Sequence, residues 1–279
     1  LPATLRAALI DACKFDWGQI SPAVFGSMFQ EVKSAEERRA LGEHYTTEKN
    51  ILKTIDPLFM DELRERLDAA WDSKAQLTRL HNSLGNLRFF DPACGCGNFL
   101  VVAYRELRAL ELEILKRRIE LNELDGRRSG AVPEQLSMDA SDWLKVTIDQ
   151  FYGIEIESWP ARIAQTAMFL VDHQANQRME QDLGNAPHRL PISLTAHITI
   201  GNALRLDWQS VLPASADVRV FGNPPFLGHA SRTREQAADL RAVWNSDGIG
   251  RLDYVTGWYA KALEYFAHDS GRWAFVSTS

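Results

Sequence analysis

From about residue 87 onward, short apolar runs alternate with longer amphipathic stretches. Five runs have the length and the bulky side chains of β-strands, at residues 87–91, 151–156, 197–201, 218–221 and 273–277. Helical patterns fill most of the intervals, at 98 to about 122, 159 to about 180, and 254–268. This alternation predicts an α/β fold, in which helices cover both faces of a doubly wound, mostly parallel sheet.

The N-terminal part of the chain has a helical pattern instead. Residues 1–41 predict a small helical segment of two or three short helices, one of them starting at Ser21-Pro22. A polar loop follows, and the amphipathic pattern from Glu48 to about Leu80 predicts one long helix with Thr47 as its N-cap. We therefore divide the chain into a helical spacer, 1–41, and a core, 42–279.

Composition excludes several classes of protein. With 45% hydrophobic and 24% charged residues in 279, the chain matches soluble globular averages. No apolar run approaches the roughly 18 residues of a membrane span, so we expect a cytoplasmic protein with no membrane partner. Three cysteines are too few for a disulfide framework. The net charge of -6 argues against a broadly basic nucleic-acid-binding surface. Because the chain starts at Leu1 and stops at Ser279 after an apolar stretch, we expect a fragment.

The first predicted strand runs into a glycine-rich turn, Asp91-Pro-Ala-Cys-Gly-Cys-Gly97. Glycines allow close approach of a ligand, and the helix that follows directs free N–H groups at it, which favours a nucleotide-like ligand. A turn that merely uses glycine is the alternative. Leu100 stands where a dinucleotide fingerprint has its third glycine. Cys94 and Cys96 lack a second ligand pair, so we predict no metal site.

The next two strands also end in polar residues. Glu155, just before a helix, can accept both hydroxyls of a ribose. The Asn202 amide can hydrogen-bond an adenine edge, although a turn residue is an equal alternative.

The fourth strand ends in Asn223-Pro224-Pro225-Phe226. Successive prolines fix the backbone and donate no hydrogen bond, so the Pro224 carbonyl is a rigid acceptor. The Asn223 side chain supplies a second acceptor and Phe226 a flat face. This group suits a planar ring that carries an N–H₂ group.

In these motifs the chain resembles gamma-class S-adenosylmethionine-dependent N6-adenine DNA methyltransferases, of the kind found in large single-chain restriction-modification (type IIG/IIL-like) and phage-defence enzymes. The resemblance rests on the glycine turn and Asn-Pro-Pro-Phe in that order, with Gly42-Glu-His-Tyr-Thr46 ahead of both. It implies a Rossmann-like, class I methyltransferase fold that is incomplete at the C-terminus. It also implies a target-recognition domain, and possibly a nuclease, in the parent chain.

The resemblance further implies a role for each matching residue. His44, Tyr45 and Thr46 would hold the methionine end of the cofactor S-adenosylmethionine, in a pocket lined also by Asp91, Ala93, Cys94 and Gly95. Glu155 would bind the ribose of the cofactor, Ile156 would lie against the cofactor's adenine ring, and Asn202 would bind the amino group of that ring. Asn223, Pro224, Pro225 and Phe226 would be catalytic.

The implied reaction is methylation of the N6 amino group of an adenine that is flipped out of double-stranded DNA. Tyr254, Trp258 and Tyr259 are candidates for completing the pocket, although aromatic residues at helical spacing more often belong to a core. Arg232 and Arg234 are candidate phosphate contacts. The alternatives are an N-methyltransferase acting on an RNA base or a protein glutamine, and a non-catalytic cofactor-binding scaffold. An NAD oxidoreductase is more distant, because the glycine spacing fails.

Overall fold

The computed structural model of the protein describes residues 2–14, 46–129, 144–184 and 194–277. Five strands form one sheet: β1 (Arg88–Asp91), β2 (Phe151–Glu155), β3 (His197–Ile200), β4 (Val218–Gly222) and β5 (Arg272–Phe275). The helices are α1 (Ala3–Lys14), α2 (Glu48–Ile55), α3 (Asp61–Ala70), α4 (Lys74–Leu84), α5 (Asn98–Ser129), α6 (Ser158–Leu183), α7 (Trp208–Val211), α8 (Arg234–Trp244) and α9 (Thr256–Tyr265).

The sheet is parallel throughout, with the strand order β3-β2-β1-β4-β5. The chain adds β2 and β3 on one side of β1, and then β4 and β5 on the other side. The carboxyl ends of β1 and β4 therefore adjoin at the topological switch point, where ligands of doubly wound sheets bind. The predicted α/β fold is confirmed.

Two hydrophobic cores cover the faces of the sheet, because successive side chains of a strand point to opposite sides. On one face, the Phe89 ring stacks on Phe151 with centroids 4.8 Å apart, in the core shared with helices α2 to α6. On the other face, Phe90 meets Trp208 edge-on at 5.3 Å, in the core shared with α7 and α9. The bulky neighbours Phe89 and Phe90 thus hold β1 at the centre of both layers.

The single long helix predicted from Glu48 to Leu80 is wrong. A π-helical turn, Asp56–Met60, separates α2 from α3, and a further break separates α3 from α4. Pro57 lies in the π turn, where its missing N–H interrupts the α-helical ladder. Ser73 is the N-cap of α4, and its side chain accepts a hydrogen bond from the backbone N–H of Gln76. Thr47 is the N-cap of α2, but through its backbone oxygen and not its hydroxyl.

The five predicted strands and the helices predicted at 159–180 and 254–268 are confirmed to within a few residues, and the helix predicted from residue 98 runs on to Ser129 as α5. Sequence patterns missed α7 and α8. The predicted spacer contains α1, and its residues 15–41 lie outside the described part of the chain, as does Ser21-Pro22. Among the described residues, no helix is long and apolar enough to cross a membrane.

Candidate active site

The turn after β1 is shaped by two glycines with positive φ, +54° at Gly95 and +85° at Gly97. A Cβ on Gly97 would lie 3.0 Å from the Cβ of Ala164, so this glycine lets the turn pack closely on α6. A Cβ on Gly95 would meet nothing within 4 Å. The turn is therefore anchored on one side and has open space beside Gly95.

Asp91, the last residue of β1, is 1% exposed, and its Oδ1 accepts a hydrogen bond from the Ala93 N–H at 3.0 Å. Burial is the main cause that raises the pKa of the Asp91 carboxyl to about 8. The negative charge of Glu155 also raises this pKa, and the hydrogen bond from Ala93 lowers it. A Cβ on Gly222, at the end of β4, would collide with Asp91 Oδ1. Glycine at 222 is thus what lets β4 end against this carboxyl.

Glu155, at the end of β2, joins the glycine turn to the start of α6. Its Oε2 accepts from the Gly95 N–H at 3.0 Å, and its Oε1 accepts from the Glu157 N–H at 2.8 Å. The side chain is nearly buried, and its backbone oxygen accepts from Gly201, which follows β3. The carboxylate is therefore fixed at the strand ends, where it was predicted to bind a ribose.

Asn202 follows β3, and its amide makes a hydrogen bond at both the oxygen and the nitrogen. Its Oδ1 accepts from the Leu204 N–H at 2.9 Å, and its Nδ2 donates to Asp239 Oδ2 at 2.8 Å. Asp239 lies on α8 and also pairs with Arg205. The amide is held in one orientation by contacts from both sides.

Asn223 immediately follows β4, and its Nδ2 donates to the hydroxyl of Thr46 at 2.7 Å. Thr46 is 7% exposed and lies just before α2. One hydrogen bond thus brings together two motifs that are far apart in the sequence, the segment ending at Thr46 and Asn-Pro-Pro-Phe.

Pro224 is buried, whereas Asn223, Pro225 and Phe226 are partly exposed. Within residues 46–129, 144–184 and 194–277, no N–H group donates to the Pro224 carbonyl oxygen. The backbone beyond Phe226 is fixed by Asp253, whose Oδ1 accepts from the N–H groups of Leu227 and Val255 at 3.0 and 3.1 Å. The segment is therefore rigid at both ends.

The aromatic candidates belong mainly to the core. Tyr254 and Trp258 are each 5% exposed and meet edge-on at 5.4 Å. The Trp258 indole N–H donates to the carbonyl of Pro92 at 3.0 Å, and this hydrogen bond links α9 to the start of the glycine turn. Tyr259 lies against Trp273 of β5.

The remaining predicted residues have different positions. His44 and Tyr45 lie outside the described residues. Ile156 is 59% exposed beside the end of β2. The Cys94 side chain packs into the core against Gly153, and burial raises the pKa of its thiol. A pocket-lining role of Cys94 would thus involve only its backbone.

Sequence reasoning missed two residues, Asp239 and Asp253. Asp239 lies within a charged helical stretch whose pattern does not separate it from its neighbours. Asp253 lies three residues before the start of α9, and an acidic residue just before a helix is a capping signal that could have identified it.

A groove of about 470 Å³ lies elsewhere, beside α3, α5 and α6. It is lined by charged residues that include Arg64, Glu106, Lys116 and Arg178, and by no residue of the strand ends. Arg64 and Glu106 pair across it at 3.5 Å. We therefore place the candidate site at the strand ends and not in this groove.

Comparisons with known proteins bear on the family and the fold of the chain. A model of the family described as "MmeI, DNA-methyltransferase domain" matches residues 67–279. DNA methyltransferase A of Bacillus subtilis (strain 168) is 39% identical over 268 residues, which are 95% of this chain and 29% of that protein. The solved structure of the type IIL restriction-modification enzyme MmeI in complex with DNA is similar with a TM-score of 0.85 and 45% identity. That match covers 99% of this chain and 35% of the solved chain, so the chain spans about a third of each relative.

Proposed function

Because the chain belongs to the MmeI DNA-methyltransferase domain family, we propose that it is the catalytic core of an adenine-specific DNA methyltransferase in a restriction-modification or phage-defence system. The methyl group goes to the N6 amino group of an adenine flipped out of the duplex. The observation that carries this proposal is the position of Asn223-Pro-Pro-Phe226. It follows β4 directly, next to the Asp91 turn at the switch point of the sheet.

The residues at the strand ends fit S-adenosylmethionine. This group carries positive charge on its sulfur and its amino group, and the site holds two nearly buried carboxyls, Asp91 and Glu155. Burial and the negative charge of Glu155 raise the pKa of Asp91, and a cationic ligand acts in the opposite direction because it favours the ionised carboxylate. The open space beside Gly95 admits a ligand next to the backbone.

We assign the binding groups accordingly. Asp91, Ala93 and Gly95, with Thr46, hold the methionine end, together with His44 and Tyr45. Glu155 accepts the ribose hydroxyls; a carboxylate has about four acceptor positions, which is compatible with its contacts to Gly95 and Glu157. Ile156 lies against the adenine ring of S-adenosylmethionine, and Asn202 binds the amino group of that ring. When bound, S-adenosylmethionine supplies an electrophilic methyl group.

Asn223 and Pro224 prepare the target amino group. The N6 nitrogen of adenine is a poor nucleophile because its lone pair is delocalised into the ring. When Asn223 Oδ1 and the Pro224 carbonyl accept its two hydrogens, they favour a pyramidal nitrogen with a localised lone pair. Phe226 stacks on the base and offsets part of the few kcal/mol that flipping costs. Alignment of this kind supplies several kcal/mol, up to about 7–11 in favourable cases.

DNA is the proposed partner, as in the solved complex of the relative. The chain has a net charge of -6, so its own phosphate contacts are local. Arg232 and Arg234 follow the Asn-Pro-Pro-Phe segment, and Arg234 is exposed. Arg232 also donates to the carbonyl of Gly250, which ties this segment to the loop ahead of α9. A target-recognition domain, and possibly a nuclease, would be supplied by the parent chain.

The full-length protein tests this proposal when it is incubated with methyl-labelled S-adenosylmethionine and, separately, with DNA, RNA and protein. The products are digested and the modified residue is identified by mass spectrometry. We expect N6-methyldeoxyadenosine from DNA. Label in N4-methyldeoxycytidine, in RNA or in protein glutamine overturns the adenine assignment. Binding of S-adenosylhomocysteine without any transfer indicates a scaffold instead.

A further inference from the structure

The Asn202 side chain is held between a donor and an acceptor. The Leu204 N–H can only donate, and it faces Asn202 Oδ1 at 2.9 Å. The Asp239 carboxylate, paired with Arg205, can only accept, and it faces Asn202 Nδ2 at 2.8 Å. An amide with its oxygen and nitrogen exchanged would lose both hydrogen bonds. The orientation of Asn202 therefore follows from its neighbours.

Asp239 is 7% exposed, which is unusual for a carboxylate. Both of its oxygens are used. Oδ1 accepts from Arg205 Nε at 2.7 Å, and Oδ2 accepts from Arg205 Nη2 at 3.2 Å and from Asn202 Nδ2. The backbone N–H of Arg205 in turn donates to the carbonyl of Asn202 at 3.0 Å. Asn202, Arg205 and Asp239 thus form a closed ring of contacts between the end of β3 and helix α8.

Tyr254 contributes to the same orientation. Its hydroxyl oxygen accepts a hydrogen bond from the Asn202 N–H₂ group, which lowers the pKa of Tyr254, whereas burial has the larger effect and raises that pKa to about 12. Together these contacts use both hydrogens of the amide nitrogen, whereas the amide oxygen accepts from Leu204 and has a second lone pair that can accept from a ligand.

We propose that Asp239 is a positioning residue that makes Asn202 present its oxygen to the adenine ring of the methyl donor, and that it thereby sets the preference for adenine over hypoxanthine. This inference rests on the proposed binding of S-adenosylmethionine. Adenine has an amino group at C6, which donates to an oxygen. Hypoxanthine has an oxygen at C6, which an oxygen repels. A rotated amide would present its N–H₂ group and reverse this preference.

Calorimetry with the full-length protein tests the proposal by comparing S-adenosylhomocysteine with its deaminated analogue, S-inosylhomocysteine. We expect the wild type to prefer the adenosyl form. Asp239→Asn is nearly isosteric but can donate to Asn202, so we expect it to lower the adenosyl-to-inosyl affinity ratio by about tenfold. Asn202→Ala should lower the ratio as well, and the double variant should lose no more than Asn202→Ala alone, since Asp239 acts through Asn202.

Arg205→Ala is the matched control. It breaks the ion pair with Asp239 but leaves the acceptor for Asn202, so stability falls while the affinity ratio is kept. An unchanged ratio in Asp239→Asn, or an equal fall in Arg205→Ala, overturns the proposal. If Asp239→Asn does not fold, a crystal structure of the wild type with S-adenosylhomocysteine decides: a broken Asn202–Asp239 contact contradicts the proposal, and a kept contact with Oδ1 facing the adenine amino group supports it. If the wild type fails to bind S-adenosylhomocysteine, the proposed function itself fails.

Discussion

The amide nitrogen of Asn223 lies 2.7 Å from the hydroxyl oxygen of Thr46, although 177 positions separate the two residues. This hydrogen bond couples a residue assigned to the methyl donor with a residue assigned to the target amine. The amide is turned so that its nitrogen faces Thr46, an orientation that is compatible with the proposed role of its oxygen as an acceptor for the target amino group.

Thr46→Val should therefore lower kcat. Valine keeps the shape of threonine but removes the acceptor of Asn223 Nδ2, and a part-buried donor without a partner costs about 1–3 kcal/mol. We expect at least about a tenfold fall in kcat in a methyl-transfer assay of the full-length protein. Thr46→Ser keeps the hydroxyl and should retain activity. Equal rates for the valine and serine variants would contradict the role of the hydroxyl.

The raised pKa of Asp91 predicts a pH-dependent affinity for the methyl donor. Below about pH 8 the carboxyl holds a proton in the free protein, and a cationic ligand favours the ionised form. Binding of S-adenosylmethionine at pH 7 should therefore release a proton, and affinity should rise toward pH 8. Calorimetry in buffers of different ionisation enthalpy measures this release. Asp91→Asn should abolish it, and proton release of the same size in that variant would exclude Asp91 as the source.

The same carboxyl predicts the pH dependence of stability. Its pKa in the folded protein lies well above the ordinary value of an aspartic acid, so the folded state holds the proton between about pH 4 and 8 while the unfolded state has lost it. Asp91 thus makes stability fall as pH rises through that window. Asp91→Asn should flatten the curve and unfold at higher denaturant concentration than the wild type at pH 8. A variant less stable than the wild type at pH 8 would contradict burial of a costly charge.

Gly222→Ala should displace the Asp91 side chain at the candidate site. Its Cβ would collide with Asp91 Oδ1, and relief of such overpacking typically costs about 1–3 kcal/mol. We expect a lower free energy of unfolding in urea and weaker binding of S-adenosylhomocysteine, because Asp91 must move. Gly228→Ala is the control, since a Cβ there meets nothing within 4 Å. Unfolding and binding unchanged in Gly222→Ala would show that the contact does not constrain the site.

Asp253→Ala should loosen the segment that carries Phe226. The substitution leaves the N–H groups of Leu227 and Val255 without their acceptor, at a cost of about 1–3 kcal/mol. We expect kcat to fall while affinity for S-adenosylhomocysteine is kept, since the side-chain contacts of Asp253 within the described part of the chain are with Leu227 and Val255, and neither is assigned to that ligand. Asp253→Asn keeps an oxygen at Oδ1 and should recover most of the rate. A loss of cofactor binding instead would place Asp253 in another role.

The sequence predicted the strands well because each is a local signal. Val218–Gly222 and Phe151–Glu155 are runs of bulky residues that end in glycine or an acid, and both are buried strands of the sheet. The prediction of one long helix from Glu48 was wrong for a local reason as well. Pro57 interrupts the helical hydrogen bonds but leaves the apolar periodicity intact.

The site was predictable only residue by residue. Asp91, Glu155, Asn202 and Asn223 all lie at strand ends, as the motifs indicated. Their partners were not predictable, because the pairing of Asn202 with Asp239 depends on where α8 docks. No periodicity or spacing in one sequence encodes such a contact between distant segments.

The most direct test of the central claim replaces Asn223 with alanine in the full-length protein. Methyl transfer to DNA and affinity for S-adenosylhomocysteine are measured side by side, with Asn82→Ala, an exposed asparagine on α4, as the control. If Asn223 grips the target amino group, transfer falls by at least about a hundredfold while affinity is nearly unchanged. Retained transfer, or an equal loss of transfer and affinity, would contradict the role assigned to this residue.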